Sequence, residues 1–181
     1  MGPMLRAAIR EAGLSEVAEL VLAGQALAGS RLEPLRHADV MLVAAMADHV
    51  RKRVAGAQVS LVDGSFALHG LDVRVVPPLC DADGLTGEAA LREVALLRLG
   101  TAPDVELGLS WDDWGLALAQ AALLFGVSAL CGQLGSRRVL PLLDSTPKRR
   151  SELTGLITRS GRVARWYQAA HAADLEQGPT P

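Results

Sequence analysis

The longest apolar stretch, Leu116 to Cys131, is the feature that most limits how this chain can fold. It runs for 16 residues and is interrupted only by Gln120, Gly126 and Ser128. A membrane-spanning helix needs ~20 predominantly apolar residues. The stretch is therefore too short to cross a bilayer and predicts a helix buried in a protein core.

The remaining composition predicts an aliphatic core with many helices. Half of the 181 residues are hydrophobic but only 3% are aromatic, and the abundant Ala and Leu residues favour helix. The length suits one domain, since domains average ~100–200 residues. We expect a single globular domain over residues 1–177 and a disordered tail over residues 178–181.

The charge balance excludes some classes of partner. There are 18 basic and 20 acidic side chains, for a net charge of −2, whereas a nucleic-acid-binding surface needs a clustered basic excess. Arg6, Arg10 and Glu11 interrupt the first apolar residues, which is not the pattern of a secretory signal. We expect a cytoplasmic protein that binds neither nucleic acid nor membrane.

Hydrophobic periodicity predicts an α+β fold, mostly helical, with a small sheet of three or four strands. An Asp63-Gly64 hairpin turn is expected between the first two strands. The predicted helices are Leu14–Leu22, Val40–Val54, Thr86 or Gly87 to Leu99, Asp112 or Asp113 to about Phe125, and Leu153–Ala173 with a break near Ser160-Gly161. The predicted strands are Gln58–Val62, Phe66–Leu68, Leu71–Val76 and Val105–Ser110. Because an open sheet leaves edges that invite pairing, we also expect a homodimer.

The turn after the last predicted strand holds the candidate ligand-binding residues Trp111, Asp112, Asp113 and Gln120. Adjacent carboxylates could act as acid and base, although one of them capping the following helix is the commoner role. Trp111 could stack on a planar ring or pack in the core. Gln120 would be an additional polar contact.

Two other sets of residues are weaker candidates for a functional site. Asp48 and His49 are consecutive on a predicted helix and so point in different directions, which favours a solvated surface pair. The two cysteines, Cys80 and Cys131, have no metal-ligand spacing. We interpret them as small buried residues in a reducing compartment, and we expect no metal and no cofactor.

Several segments together resemble a known enzyme family. These segments are Gly13–Gly24, Ala47–Arg53, Leu91–Leu99, Pro103–Trp111, Gly115–Gly126 and Leu153–Trp166, the last including Ile157, Ser160, Gly161 and Arg162. In them the chain resembles aminofutalosine synthase and dehypoxanthine futalosine cyclase, the radical S-adenosylmethionine enzymes of the futalosine route to menaquinone.

The resemblance implies a (β/α) barrel, but the middle of the family's pattern is missing. In the family the strand that corresponds to Gln58–Val62 leads into three cysteines that hold a [4Fe–4S] cluster, whereas here it leads into Asp63-Gly64. The acidic stretch that the family carries after Gly126 is also absent. A full barrel takes ~250 residues, so this chain would be a barrel remnant.

Three functions from different classes follow. The first is a non-catalytic, radical-SAM-like pseudoenzyme that binds or regulates a partner in menaquinone or related cofactor synthesis, either a biosynthetic enzyme or a small nucleoside-type metabolite. The second is a cofactor-free enzyme with its site around Trp111, Asp112 and Asp113. The third is a structural assembly protein. A resemblance of fold does not by itself decide among them.

The cysteine content generates the first prediction. Protein purified without oxygen should contain no iron–sulfur cluster, because a cluster takes three or four thiolates and the chain offers two cysteines. Iron and sulfide analysis, together with visible absorbance, measures this. Stoichiometric iron and sulfide would contradict the prediction.

Overall fold

The computed structural model describes residues 2–79, 86–135 and 149–167, except for the side chain of Leu68, and it combines helices with one sheet. The α+β class is thereby confirmed. The α-helices of these ranges are α1 Pro3–Glu11, α2 Ser15–Leu22, α3 Glu33–His37, α4 Val40–Ala55, α5 Gly87–Gly100, α6 Trp111–Trp114, α7 Leu116–Ala122 and α8 Arg150–Arg159, and the strands are β1 Gln58–Asp63, β2 Val73–Val75, β3 Glu106–Ser110, β4 Ala129–Gly132 and β5 Val163–Tyr167. None of these helices combines the length and apolarity needed to cross a bilayer.

The sheet has five strands in the order β2-β3-β4-β1-β5, and every neighbouring pair is parallel. Leu61 of β1 lies opposite Leu130 of β4 on one side and opposite Trp166 of β5 on the other. The first strand of the chain is thus flanked by the last two. The sheet is larger than the expected three or four strands because β4 and β5 were not predicted.

Three of the predicted elements are wrong. Asp63-Gly64 does not form a hairpin; Gly64 instead donates its N–H to the carbonyl of Gly132 at 2.8 Å. The expected strand Phe66–Leu68 lies in a 3-10 helix, Phe66–His69. The helix predicted over Leu153–Ala173 ends at Arg159, beside the break predicted near Ser160-Gly161, but the chain continues as strand β5 and not as helix. Residues 168–173 of that prediction, like the tail, lie outside the described ranges.

One face of the sheet is covered by helices and carries the main core. Because side chains alternate along a strand, this face receives every second residue of the central strands, Val59, Leu61, Leu107, Leu109 and Leu130. These side chains pack with α4, α5 and α7, and all five are fully buried. The helical layer therefore holds the three central strands in place.

The opposite face is partly filled by the segment that follows β1. Phe66 packs with Val62, Ala129 and Cys131 in a second, smaller apolar cluster. A side chain at Gly108 of β3 would lie 2.5 Å from the ring of Phe66. The aromatic ring thus occupies the space that the glycine leaves over the middle of the sheet.

A partly buried ion network joins α4 to the turn before β5. Asp48 accepts from Nε of Arg51 at 2.8 Å and Nη2 of Arg162 at 3.2 Å, and it pairs with Nζ of Lys52 at 2.8 Å. Burial raises the pKa of Asp48, but the hydrogen bonds from Lys52 and Arg51 and the charges of Arg51 and Arg162 outweigh it, so the pKa is lowered. The expectation of a solvated Asp48–His49 pair is therefore wrong, because the carboxylate points into this network.

The apolar stretch Leu116–Cys131 forms a shorter helix than its pattern predicts. Helix α7 ends at Ala122, and a 3-10 turn, Leu123–Phe125, continues it. The apolar run predicts that Leu116–Phe125 is the most buried helix, with Leu116, Ala119, Leu123 and Leu124 facing the sheet. This prediction is wrong in part, because α5 buries a larger share of its residues. Ala119 and Leu123 are buried, Leu116 is half-buried and Leu124 is 50% exposed.

Adjacent leucines in this 3-10 turn provide a matched test of the core. Leu123 is 1% exposed, so Leu123→Ala should lower the free energy of unfolding by ~2–5 kcal/mol through lost apolar burial and the cavity left behind. Leu124→Ala, at a half-exposed position, should cost less than about 1 kcal/mol. Urea titration of both variants checks the placement, and equal losses would contradict it.

Candidate functional site

The candidate site lies at the carboxyl edge of the sheet. Strands β1, β3 and β4 end at Asp63, Ser110 and Gly132, and because they are parallel these three ends meet at the same edge. Trp111 follows β3 without a connecting residue. In open parallel sheets this edge is where ligands are usually bound.

The ring of Trp111 contacts the protein itself. It is 3% exposed and belongs to the main core. Its pyrrole atoms lie so close to Gly132 that a Cβ there would clash with Nε1, and the φ of 152° and missing side chain of this glycine make the close approach feasible. The indole N–H donates to the carbonyl of Gln133 at 3.4 Å. In this arrangement the tryptophan holds the end of β4 and presents little surface to a ligand.

Asp112 anchors the segment after β4 and does not cap a helix. The N-cap residue of α6 is Ser110, and neither aspartate makes a side-chain cap hydrogen bond there, so the capping expectation is wrong. One carboxylate oxygen of Asp112, Oδ2, accepts from the backbone N–H of Gln133 at 2.7 Å. Asp113 is exposed.

Asp63, at the end of β1, also binds a backbone amide of the segment after β4. Its Oδ1 accepts from the N–H of Leu134 at 3.2 Å. Two carboxylates, one at the end of β1 and one in helix α6 directly after β3, therefore bind two successive backbone amides. The sequence predicts Asp63 only as a turn residue. It ends β1 as Ser110 ends β3, and its place directly after the largely apolar run Val59–Val62 is the signal that could have placed it at this edge.

His69 also lies beside the end of β1, although the sequence pattern gave no reason to place it there. Its Nε2 lies 3.1 Å from the carbonyl of Asp63, so in the neutral ring Nε2 carries the proton and donates. The other nitrogen, Nδ1, is buried and has no hydrogen-bond partner within the described residues. The ring thus offers one unused acceptor beside the end of β1.

Gln120 lies apart from the other predicted site residues. It sits half-buried in the middle of α7, and no hydrogen bond described for this part of the chain joins it to Trp111 or Asp112. The structure therefore brings Trp111 and Asp112 together around Gln133, leaves Asp113 at the surface, and separates Gln120.

The thiol and carboxylate groups do not fit the iron–sulfur cluster that the family resemblance implies. Cys131 is buried, and burial, together with the charges of Asp113 and Asp112, raises the pKa of its thiol to about 11. Cys80 lies outside the described ranges. Within those ranges no three His, Cys, Asp or Glu side chains converge as a metal site would require. A chain with two cysteines cannot supply the three thiolates of a cluster.

Comparison with known proteins does not connect this site to a family or a function. No protein-family model matches the sequence, and no curated protein matches it.

The two adjacent aspartates allow the anchoring role of Asp112 to be tested. Asp112→Ala should lower the free energy of unfolding by about 0.5–1.5 kcal/mol, because the Gln133 amide loses its acceptor near the surface. Asp113→Ala, which removes the same charge from an exposed position, should stay within about 0.5 kcal/mol of the wild type. Denaturant titration measures both, and an equal effect of the two changes would argue against the anchor.

Proposed function

We propose that this chain is a non-catalytic relative of the radical S-adenosylmethionine enzymes that binds or regulates a biosynthetic enzyme of the futalosine route to menaquinone or of related cofactor synthesis. The proposal starts from the resemblance of Ala47–Arg53, Gly115–Gly126 and Leu153–Trp166 to that family. It also rests on how the folded chain uses the positions where the family holds its cluster.

The observation that carries the proposal is the closed carboxyl end of β1. In the family the cluster loop leaves from this point. Here Gly64 is bonded to Gly132, Asp63 is bonded to Leu134, and the ring of Phe66 lies over Gly108. The chain's own backbone and side chains occupy the place of a cluster loop, which supports a protein without the family's chemistry.

The strand order supports descent from a barrel. In a closed barrel the last strand pairs with the first, and in this sheet β5, the last strand of the described residues, lies beside β1 in parallel register. The family-like segments at the two ends of the chain also touch, since Arg162 reaches Asp48 across 114 positions of sequence. Both contacts are those expected if the ends of a barrel were kept while its middle strands were lost.

A protein partner fits the site better than a small nucleoside-type metabolite. The ring expected to stack on a base, Trp111, is buried, and the carboxylate expected to bind it, Asp112, already has a backbone donor. Among the described residues, β2 and β5 each pair with one strand only, and they expose Val75 and Val163 by more than half. Such edges are suited to binding another chain, including a second copy in a homodimer.

The proposal is tested by titrating purified aminofutalosine synthase or dehypoxanthine futalosine cyclase with this protein. We expect saturable association by calorimetry and a change in the turnover of the partner enzyme. Futalosine-type nucleosides at millimolar concentration are tested in parallel by thermal shift. If neither enzyme associates and no nucleoside shifts the melting curve, the proposal is wrong.

A matched pair of surface variants shows whether association uses the sheet edge. Val163→Lys adds a charge to the exposed face of β5, and Met41→Lys adds the same charge to an exposed position of α4. We expect the first to weaken association at least tenfold and the second to leave it unchanged. Equal effects would move the contact surface away from β5.

A further inference from the structure

A groove at the opposite, amino edge of the sheet has no part in the proposed function. It encloses about 400 Å³ between the carboxyl end of α4 and the turn that joins α8 to β5. A volume of this size is within the range of small-molecule sites. The residues that line it are Asp48, Arg51, Lys52, Gly56, Ala57, Leu124, Ser160, Gly161 and Arg162.

The charged residues that line the groove carry an uncompensated positive charge. Three cations, Arg51, Lys52 and Arg162, surround one carboxylate, that of Asp48, which leaves a formal charge of +2. The carboxyl ends of α4 and α8 add roughly half a negative charge each, so about one positive charge remains. The groove therefore attracts an anion.

Arg162 has a donor that the protein does not use. Its side chain is 7% exposed, and while Nη2 binds Asp48, Nη1 is buried without a hydrogen-bond partner among the described residues. Burial lowers the pKa of Arg162, and the charge of Arg51 lowers it further against the pull of Asp48. A buried guanidinium nitrogen without an acceptor is costly, and an oxygen bound in the groove would supply that acceptor.

The other lining residues leave room for such a ligand. Gly56 and Gly161 carry no side chain, and a Cβ at either position would meet nothing within 4 Å. Lys52 is 63% exposed and unbranched, so its ammonium group can move from Asp48 to a bound oxygen with little cost. Leu124, half-exposed at the rim, provides an apolar contact for the remainder of a larger molecule.

From these observations we propose that the groove binds a phosphoryl group, either as free phosphate or as the phosphate of a small metabolite. Cations that converge from α4 and from the α8–β5 turn suit a tetrahedral oxyanion, which presents oxygens in several directions. A carboxylate presents two oxygens in one plane and is satisfied by one arginine fork. The site is separate from the Trp111–Asp112 edge and does not depend on the function proposed above.

The test is calorimetric titration of the full chain with inorganic phosphate, with sodium acetate and sodium chloride at matched ionic strength as comparisons. We expect saturable binding of phosphate with one site per chain and at least fivefold weaker binding of acetate and chloride. Phosphorylated and unphosphorylated forms of the same small alcohol then distinguish a metabolite from free phosphate: tighter binding of the ester than of phosphate indicates that the groove holds more than the phosphoryl group.

Variants locate the binding. Lys52→Gln, at an exposed position that folding tolerates, should weaken phosphate binding at least fivefold, and Arg162→Gln should abolish it if the protein folds. Arg159→Gln removes the same charge three residues away, on a side chain that does not line the groove, and should leave binding within twofold of the wild type. Non-saturable binding, or equal weakening by Lys52→Gln and Arg159→Gln, would overturn the proposal.

Discussion

The rest of the structure depends on the parallel pairing of β1 with two strands from the far end of the chain. β1 lies between β4 and β5, and parallel neighbours need long crossover connections. The β2–β3 connection contains α5 and the β3–β4 connection contains α7; both helices pack on the same face of the sheet as α4, which precedes β1. The Asp48–Arg162 pair joins α4 to the turn before β5 at the amino edge, so both backbone and side-chain contacts hold the two ends of the chain's described part together.

Side chains of opposite charge hold the amino and carboxyl edges of the sheet, where the parallel strands begin and end. At the carboxyl edge the carboxylates of Asp63 and Asp112 accept from backbone amides of the segment after β4. At the amino edge Arg51 donates to the carbonyl of Gly56, where α4 ends. Side-chain carboxylates therefore accept from backbone N–H groups at the carboxyl edge, and a guanidinium group donates to a backbone carbonyl at the amino edge. As a result the carboxyl edge is closed by its own backbone, whereas the amino edge keeps surplus positive charge.

Sequence periodicity predicted local elements well and pairing poorly. Helices α4 and α5 and strands β1 and β3 follow from the spacing of their apolar residues. β5 was missed because the sequence pattern predicts that Val163–Tyr167 continues the helix after the Ser160-Gly161 break, and its pairing partner β1 lies far earlier in the chain. The site shows the same limit: Trp111 and Asp112 were found from their place after a strand, but their roles depend on Gln133, more than 20 residues away, which no local pattern reveals.

Arg98 is one of the largest fully buried side chains of a chain with only 3% aromatic residues. Arg98 is fully buried, its stem packs on Gly126, and its two terminal nitrogens donate to the carbonyls of Val105 and Ala102. Burial and the neighbouring charge of Arg74 lower its pKa to about 10, so it remains charged at neutral pH and needs those carbonyls. These carbonyls lie just before Glu106, so Arg98 holds the backbone at the point where β3 begins.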